Sequence, residues 1–292
     1  MRLASVSNVR LVIPNTVGEA VDLIASKDDP ALPLAGGTWV LRGAVRGDGF
    51  EPTYVLVSRL PELQTIDWGE GFLSIGAAVT HQQLADALTK ESSLGGLFAA
   101  AGKSANPAIR RVATVGGNLA ATDFAAGDLV PALIVAGAAI HLIDEQGKRT
   151  VTVSDFLACR AELLRGALLT HVTIPLGTGI SAHERLTLRH AGDYPVAIAD
   201  IHVELGDDGI VKNATVAIGS VEAVARSWPT LADRLIGSVL DSKIAELATR
   251  DLSDEVRPRD GVDASSWYRL QVLPTVVSRA IRTLLHAGGH GC

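Results

Sequence analysis

Apolar and polar positions are patterned differently on the two sides of Gly177. Before it, short β-branched runs alternate with stretches of helical spacing. Residues 9–13 read as a strand stopped by Pro14. Thr16 opens a helix through Gly18 to Ser26, with Glu19 in the capping-box position. Pro33-Leu34-Ala35 reads as a buried strand running into Gly36-Gly37, and 54–57 as another. Segments 63–66 and 72–77 are expected to pair as a hairpin around Trp68 to Gly71. Thr80 caps a helix carrying His81, Leu84 and Leu88, a second helix covers 94–103, and 105–118 is expected to be a glycine-ended loop. Asp128 caps an apolar helix over 129–136. Strands follow at 138–143, 149–153 and 168–174, the last ending at Pro175.

Beyond Gly177-Thr178-Gly179, which reads as a linker, three strands are expected at 184–190, 196–205 and 210–219. The last two are joined by a hairpin at Gly206-Asp207-Asp208-Gly209. Helices follow over about 230–237, 240–250 and 266–287. The expected domains are therefore 1–176, with subdomains of about 1–58 and 59–176, and 177–292. The fold class is α+β, the second domain pairing an antiparallel three-stranded sheet with helices.

Composition narrows the function. The 292 residues are 47% hydrophobic and 20% charged, an ordinary globular balance, and only 4% aromatic, so Ala, Val, Leu and Ile must fill the core. The net charge of −6 weighs against nucleic acid or an anionic membrane as partner. Two distant cysteines, Cys159 and Cys292, exclude a disulfide framework and a Cys-ligated zinc or iron–sulfur site within the chain. Cys159 is expected to be a buried small hydrophobe. With no signal peptide or apolar span, the chain is expected in the cytoplasm.

Two glycine pairs carry the candidate chemistry: Leu34-Ala35-Gly36-Gly37-Thr38-Trp39, just after a strand, and Ala113-Thr114-Val115-Gly116-Gly117-Asn118. Glycine lets backbone approach a ligand closely and tolerates positive φ. Successive N–H groups in such turns can form anion-binding nests, and two nests could grip one pyrophosphate. Neither sequence is a Rossmann or Walker motif. On spacing alone, a phosphate-bearing cofactor and a pair of structural turns both remain open.

These segments, with Ile75 to His81, Ile109 to Ala120 and Gly127 to Leu133, resemble in order and spacing the FAD-binding medium subunit of the xanthine dehydrogenase and carbon monoxide dehydrogenase family. Thr187 to Arg189, Ala197, Ile218 to Ser220, Ser266 to Leu270 and Arg279 to Ile281 extend the resemblance through the second half. It implies a two-part FAD-binding domain of the p-cresol methylhydroxylase/vanillyl-alcohol oxidase type, followed by the family's α+β C-terminal domain. It implies FAD as cofactor, with the molybdenum cofactor and [2Fe–2S] clusters on a large and a small partner subunit in a heterohexamer, and electron relay to NAD or another acceptor.

The resemblance assigns the pyrophosphate to Leu34, Ala35, Gly36, Gly37, Thr38, Trp39 and Val40, and to Thr114, Val115, Gly116, Gly117 and Asn118. It adds Asp128 at the ribose or adenosine end, Leu168 or Leu169 near the flavin or adenine, and Tyr194 beside the isoalloxazine. Each of these last has a plainer reading: a helix cap, core leucines and a loop tyrosine. His81 reads as a helix-start residue or a catalyst. No catalytic acid or base and no metal ligand is nominated. Trp39 stands where the family has a small polar residue, Leu186 stands near a family lysine, and Ser104 matches a position that can be aromatic. The alternatives are a stand-alone FAD oxidoreductase using Tyr194, His81 and Asp193, a sugar-nucleotide reductase of the same domain type, and a flavin-free scaffold.

Overall fold

The computed structural model describes residues 9–43, 47, 49–89, 91–189 and 193–287. The chain divides into two units that interleave along the sequence. The first comprises Met1–Gln83, Pro107–Thr122 and Ala139–Ile174; the second comprises Leu84–Asn106, Asp123–Ala138 and Pro175–Cys292.

In the first unit, β1 (Arg10–Val12), β2 (Leu32–Leu34) and β3 (Thr53–Leu56) form a parallel sheet in the order β1-β3-β2. Parallel neighbours need a crossover, and the helix Val17–Ala25 provides it between β1 and β2. Thr16 caps that helix by accepting from the Glu19 N–H, and Ala20, Val21 and Ile24 bury its inner face against Val55, Val57, Leu60 and Leu63.

The second sheet of this unit has the order β4-β5-β8-β6-β7. Its strands are β4 (Ile66–Gly69), β5 (Phe72–Gly76), β6 (Ala139–Asp144), β7 (Gly147–Thr152) and β8 (Leu168–Pro175). The hairpin starts three residues later than expected, because Pro61 fixes φ and opens a 3-10 turn, Pro61–Leu63, that takes Leu63 out of the strand. Gly71, with φ +77°, makes the reversal between β4 and β5.

Three expectations fail in this unit. The segment 105–118 is not a loop, for it contains the one-turn helix Pro107–Arg110 and the helix Val115–Ala120. The helix Val153–Leu163 was not anticipated, although Thr152 caps it by accepting from the Asp155 N–H. Cys159 is exposed rather than buried. It has non-helical torsions (φ −121°, ψ 22°), so the buried stripe of Val153 and Phe156 does not continue to it. Cys292 lies outside the described residues.

The second unit is built on an antiparallel sheet in the order β12-β11-β10-β9. Its strands are β9 (Ile180–Thr187), β10 (Pro195–Leu205), β11 (Val211–Gly219) and β12 (Arg226–Ser227). The expected three strands are present, and the fourth is a two-residue edge. Gly209, at φ +73°, closes the β10–β11 hairpin. β10 is buried along most of its length, as a strand covered on both faces must be. Ala197, Ala199, Ile201 and Val203 face Trp228, Leu273, Val277 and Ile281, the last three from the 22-residue helix Ser266–Ala287. Ile198 lies on the opposite side, where Gly219 approaches Pro131 of the helix Leu129–Val135. Among the described residues no helix is long and apolar enough to cross a membrane.

Candidate functional site

The first unit brings the two glycine loops together. A Cβ added to Gly36 would lie 1.7 Å from the carbonyl oxygen of Val112, so no side chain fits there. The loop after β2 therefore rests on the backbone leading into Thr114. Gly37, at φ +69°, turns the chain, and its carbonyl accepts from the Leu41 N–H at 2.9 Å. Trp39 then precedes the 3-10 turn Val40–Arg42, whose Arg42 N–H donates to the Trp39 carbonyl. Residues 34–40 are all half-buried. Among the described residues, the N–H groups of Gly36, Gly37 and Thr38 find no acceptor.

The second loop has a different construction from the nest expected. Thr114 caps the helix Val115–Ala120, its hydroxyl accepting from the Gly117 N–H at 3.1 Å. The Val115 N–H donates to Val79 O, the Gly116 N–H to Ala77 O and the Asn118 N–H to Thr114 O, at 2.8–2.9 Å. All four amides are thus committed inside the chain. The glycines serve close approach instead: a Cβ on Gly116 would meet Ala77 at 2.8 Å, and one on Gly117 would lie 2.9 Å from the Thr114 hydroxyl. Gly117 is exposed, and the Oδ1 of Asn118 is buried with no hydrogen-bond partner. A buried acceptor without a donor is costly, and a hydroxyl or N–H of a bound ligand would relieve it. Free amides on the first loop, a surface stripped of side chains and this orphaned oxygen fit the polar portion of a dinucleotide cofactor such as FAD.

The other sequence candidates fall elsewhere. Leu168 and Leu169 start β8 with side chains 3% and 5% exposed, and Leu168 joins the core cluster of Ala20, Ile24 and Leu63. His81 is 3% exposed, and its N–H donates to Ala113 O at 2.9 Å. Thr80 and Gln83 form the capping box in front of it.

Asp128 and Tyr194 belong to the second unit. Asp128 does not cap its helix. Its carboxylate is buried, 2.7 Å from Arg185 Nε and 3.5 Å from His183 Nε2. His183 Nδ1 in turn lies 2.9 Å from Asp200, its direct neighbour across β9 and β10. Burial alone would push the His183 imidazole down, but Asp200 and Asp128 together outweigh it and raise it to about 9. Burial pushes the Asp200 carboxyl up to about 6, against the pull of His183. Both partners are therefore charged at neutral pH. Sequence reading missed this group, because His183, Arg185 and Asp200 look unremarkable in strands; only their i, i+2 spacing on β9 hinted at a shared face. Among the described residues no cluster of three or more His, Cys, Asp or Glu is placed to hold a metal ion.

A cradle of this kind, on a mixed fold with an antiparallel second unit, defines a dinucleotide-binding flavoprotein domain. Residues 7–177 match the family described as the FAD binding domain in molybdopterin dehydrogenase, and residues 184–284 match the CO dehydrogenase flavoprotein C-terminal domain. The chain belongs to this family: it is an FAD-binding medium subunit of the molybdenum hydroxylase type. It is 29% identical over 280 residues, 94% of each chain, to the 6-hydroxypseudooxynicotine dehydrogenase complex subunit alpha of Paenarthrobacter nicotinovorans. It is 28% identical to the xanthine dehydrogenase FAD-binding subunit of Escherichia coli O157:H7, covering 94% of this chain and 95% of that one. Among solved structures, quinoline 2-oxidoreductase from Pseudomonas putida 86 superposes with a TM-score of 0.84 at 26% identity over 99% of both chains. CO dehydrogenase from Oligotropha carboxidovorans shares the fold, with a TM-score of 0.86 at 24% identity over 96% of this chain and 98% of that one.

Proposed function

We propose that the chain is the FAD-bearing electron relay of a molybdenum hydroxylase, standing between [2Fe–2S] clusters on a small partner subunit and NAD or another acceptor. A large partner subunit would carry the molybdenum cofactor and choose the substrate, and the three chains would form a heterohexamer. The observation that carries the reading is the meeting of the Gly36 loop with the backbone before Thr114, beside the unpartnered Asn118 Oδ1. The relatives support the assembly, being named as a subunit of a dehydrogenase complex and as FAD-binding subunits.

FAD, when bound, supplies the redox chemistry, and the protein supplies binding, orientation and exclusion of water. Gly36, Gly37 and Thr38 would offer N–H groups to the pyrophosphate. Gly116 and Gly117 keep side chains away from it, and Asn118 accepts a hydrogen bond from the cofactor. Leu34, Ala35, Trp39, Val40, Thr114 and Val115 complete the two loops. Leu168 and Leu169 act through the core beneath them. The Asp128 carboxylate, occupied by Arg185 and His183, is set aside as a direct contact.

The test is the absorption spectrum of the purified chain, followed by release and identification of its cofactor. Flavin bands at about 370 and 450 nm with stoichiometric FAD support the reading. A colourless protein that refuses added FAD overturns it. Gly117→Asp, which sets a side chain and a charge against the pyrophosphate, is expected to abolish FAD retention. Full retention by that variant would remove the second loop from the site.

A further inference from the structure

In the second unit, three side chains converge on the backbone either side of Tyr194. Arg185 Nη2 donates to Asp193 O at 3.0 Å, the Ser220 hydroxyl donates to Pro195 O, and Arg269 Nη1 donates to Val196 O at 2.8 Å. Three of the four carbonyls from 193 to 196 are thus held from β9, from the residue after β11 and from the helix Ser266–Ala287. The Tyr194 ring packs edge-on against Phe124 with centroids 5.3 Å apart. The next residue, Ala125, is tied to the same hub, its carbonyl accepting from the Ser220 N–H at 3.0 Å. Pro195 and Val196 are buried, while Tyr194 remains 37% exposed.

The hub is built at a cost. Ser220 holds φ +63°, a strained value for a residue with a side chain. Its carbonyl accepts from Arg259 Nε at 2.9 Å and Arg269 Nη1 at 3.1 Å. Arg269 is fully buried, with its remaining donors on Arg259 O and Asp263. Arg185 is held by Asp128 and also donates to Lys103 O at 3.0 Å. A well-packed apolar side chain is often no worse for stability than a buried ion pair. What a guanidinium adds is a planar fork that fixes several oxygens in set directions.

We propose that Arg185, Ser220 and Arg269 are positioning residues that clamp Asp193–Val196 and so present Tyr194 as a preset aromatic face for the flavin. Asp128, His183 and Asp200 form the buried chain that holds Arg185 in place. The inference rests on the flavin-binding reading above and deepens it by naming what fixes one flavin contact.

The chain has only three tyrosines, Tyr54, Tyr194 and Tyr268, so 3-fluorotyrosine labelling gives three 19F resonances, with Tyr194 assigned by Tyr194→Phe. The spectra are taken on the full chain with and without FAD. Arg185→Lys removes the fork. Ser220→Gly removes the hydroxyl while keeping the left-handed backbone. Loss of one hydrogen bond in the clamp is expected to raise the population of displaced Tyr194 states by up to about tenfold. The Tyr194 resonance should split or broaden in both variants while those of Tyr54 and Tyr268 stay in place. The visible circular dichroism of bound FAD should change with it, at unchanged FAD stoichiometry. A Tyr194 resonance that stays sharp in both folded variants overturns the clamp, and so does a common loss of all three resonances. If FAD fails to move the wild-type Tyr194 resonance, the flavin contact itself is lost, whatever the variants do.

Discussion

The glycine cradle of the first unit and the clamp around Tyr194 in the second both fix backbone, by opposite means. The cradle is made by leaving side chains out. Gly36 and Gly116 let main chain touch main chain, and the amides of the second loop are spent on holding that contact. The clamp is made by putting charge in, with Arg269, His183 and Asp200 fully buried and each matched to a partner. A cradle of the first kind has no tolerance for volume and is indifferent to pH. A clamp of the second kind tolerates small changes of shape and fails when a proton is added or removed.

The largest expected effect breaks the cradle. Gly36→Ala places a methyl group 1.7 Å from Val112 O. Backbone must move to accept it, at a cost of about 3 kcal/mol or more. Thermal unfolding should drop accordingly, and the purified chain should carry no FAD. Retention of FAD by a stable variant would separate the two loops. Next comes Asp200→Asn, which leaves the buried His183 without its closest counter-charge and should lower unfolding free energy by about 3–5 kcal/mol in a denaturant titration. FAD should stay bound below the unfolding transition, because the cradle lies in the other unit. Loss of FAD in step with stability would show that the two devices are not independent.

These two regions also differ in how far the sequence betrays them. Glycine pairs after a strand, and beside Thr114, are visible because few residues can stand in for them. Most elements were legible for similar reasons, Thr16 and Pro14 marking one boundary and Gly206 to Gly209 another. The helix Val115–Ala120 was not, since Gly116 and Gly117 argue against helix locally and only the contacts of their amides with Ala77 O and the Thr114 hydroxyl secure it. The buried charges were harder still. Asp128 looks like a helix cap, and nothing local says that its carboxylate turns instead to Arg185, 57 positions further along the chain. Long-range pairing of charges leaves no periodic signature.

The proton sensitivity of the clamp gives a third effect, smaller and graded. His183 is raised from 6.5 to about 9, burial being outweighed by Asp200 and Asp128. A group raised in the fold stabilises fully below its unfolded value and loses that contribution as pH climbs through the folded one. Stability should therefore fall between pH 7 and 10, by at most about 1.4 kcal/mol per pH unit for one proton. Asp200, raised to about 6, adds no loss on the acid side, because the folded chain takes up that proton more readily than the unfolded chain does. His183→Gln should flatten the alkaline limb in unfolding titrations, and an unchanged limb would place the titration elsewhere.

The smallest effect separates what the cradle does for the fold from what it does for the cofactor. Asn118 Oδ1 is buried without a partner in the protein alone, so it costs stability there and repays it only when a ligand donates to it. Asn118→Ala should leave the FAD-free chain as stable as before, or slightly more so, since an unsatisfied acceptor has been removed. The same change should weaken FAD binding by about tenfold, the worth of one hydrogen bond of roughly 1–1.5 kcal/mol. Melting curves with and without FAD carry both readings, because ligand binding stabilises only the folded state. Equal loss in the two curves would make Asn118 a structural residue of the helix Val115–Ala120. A loss confined to the FAD-loaded curve makes it the one side chain of the cradle that is kept for the cofactor.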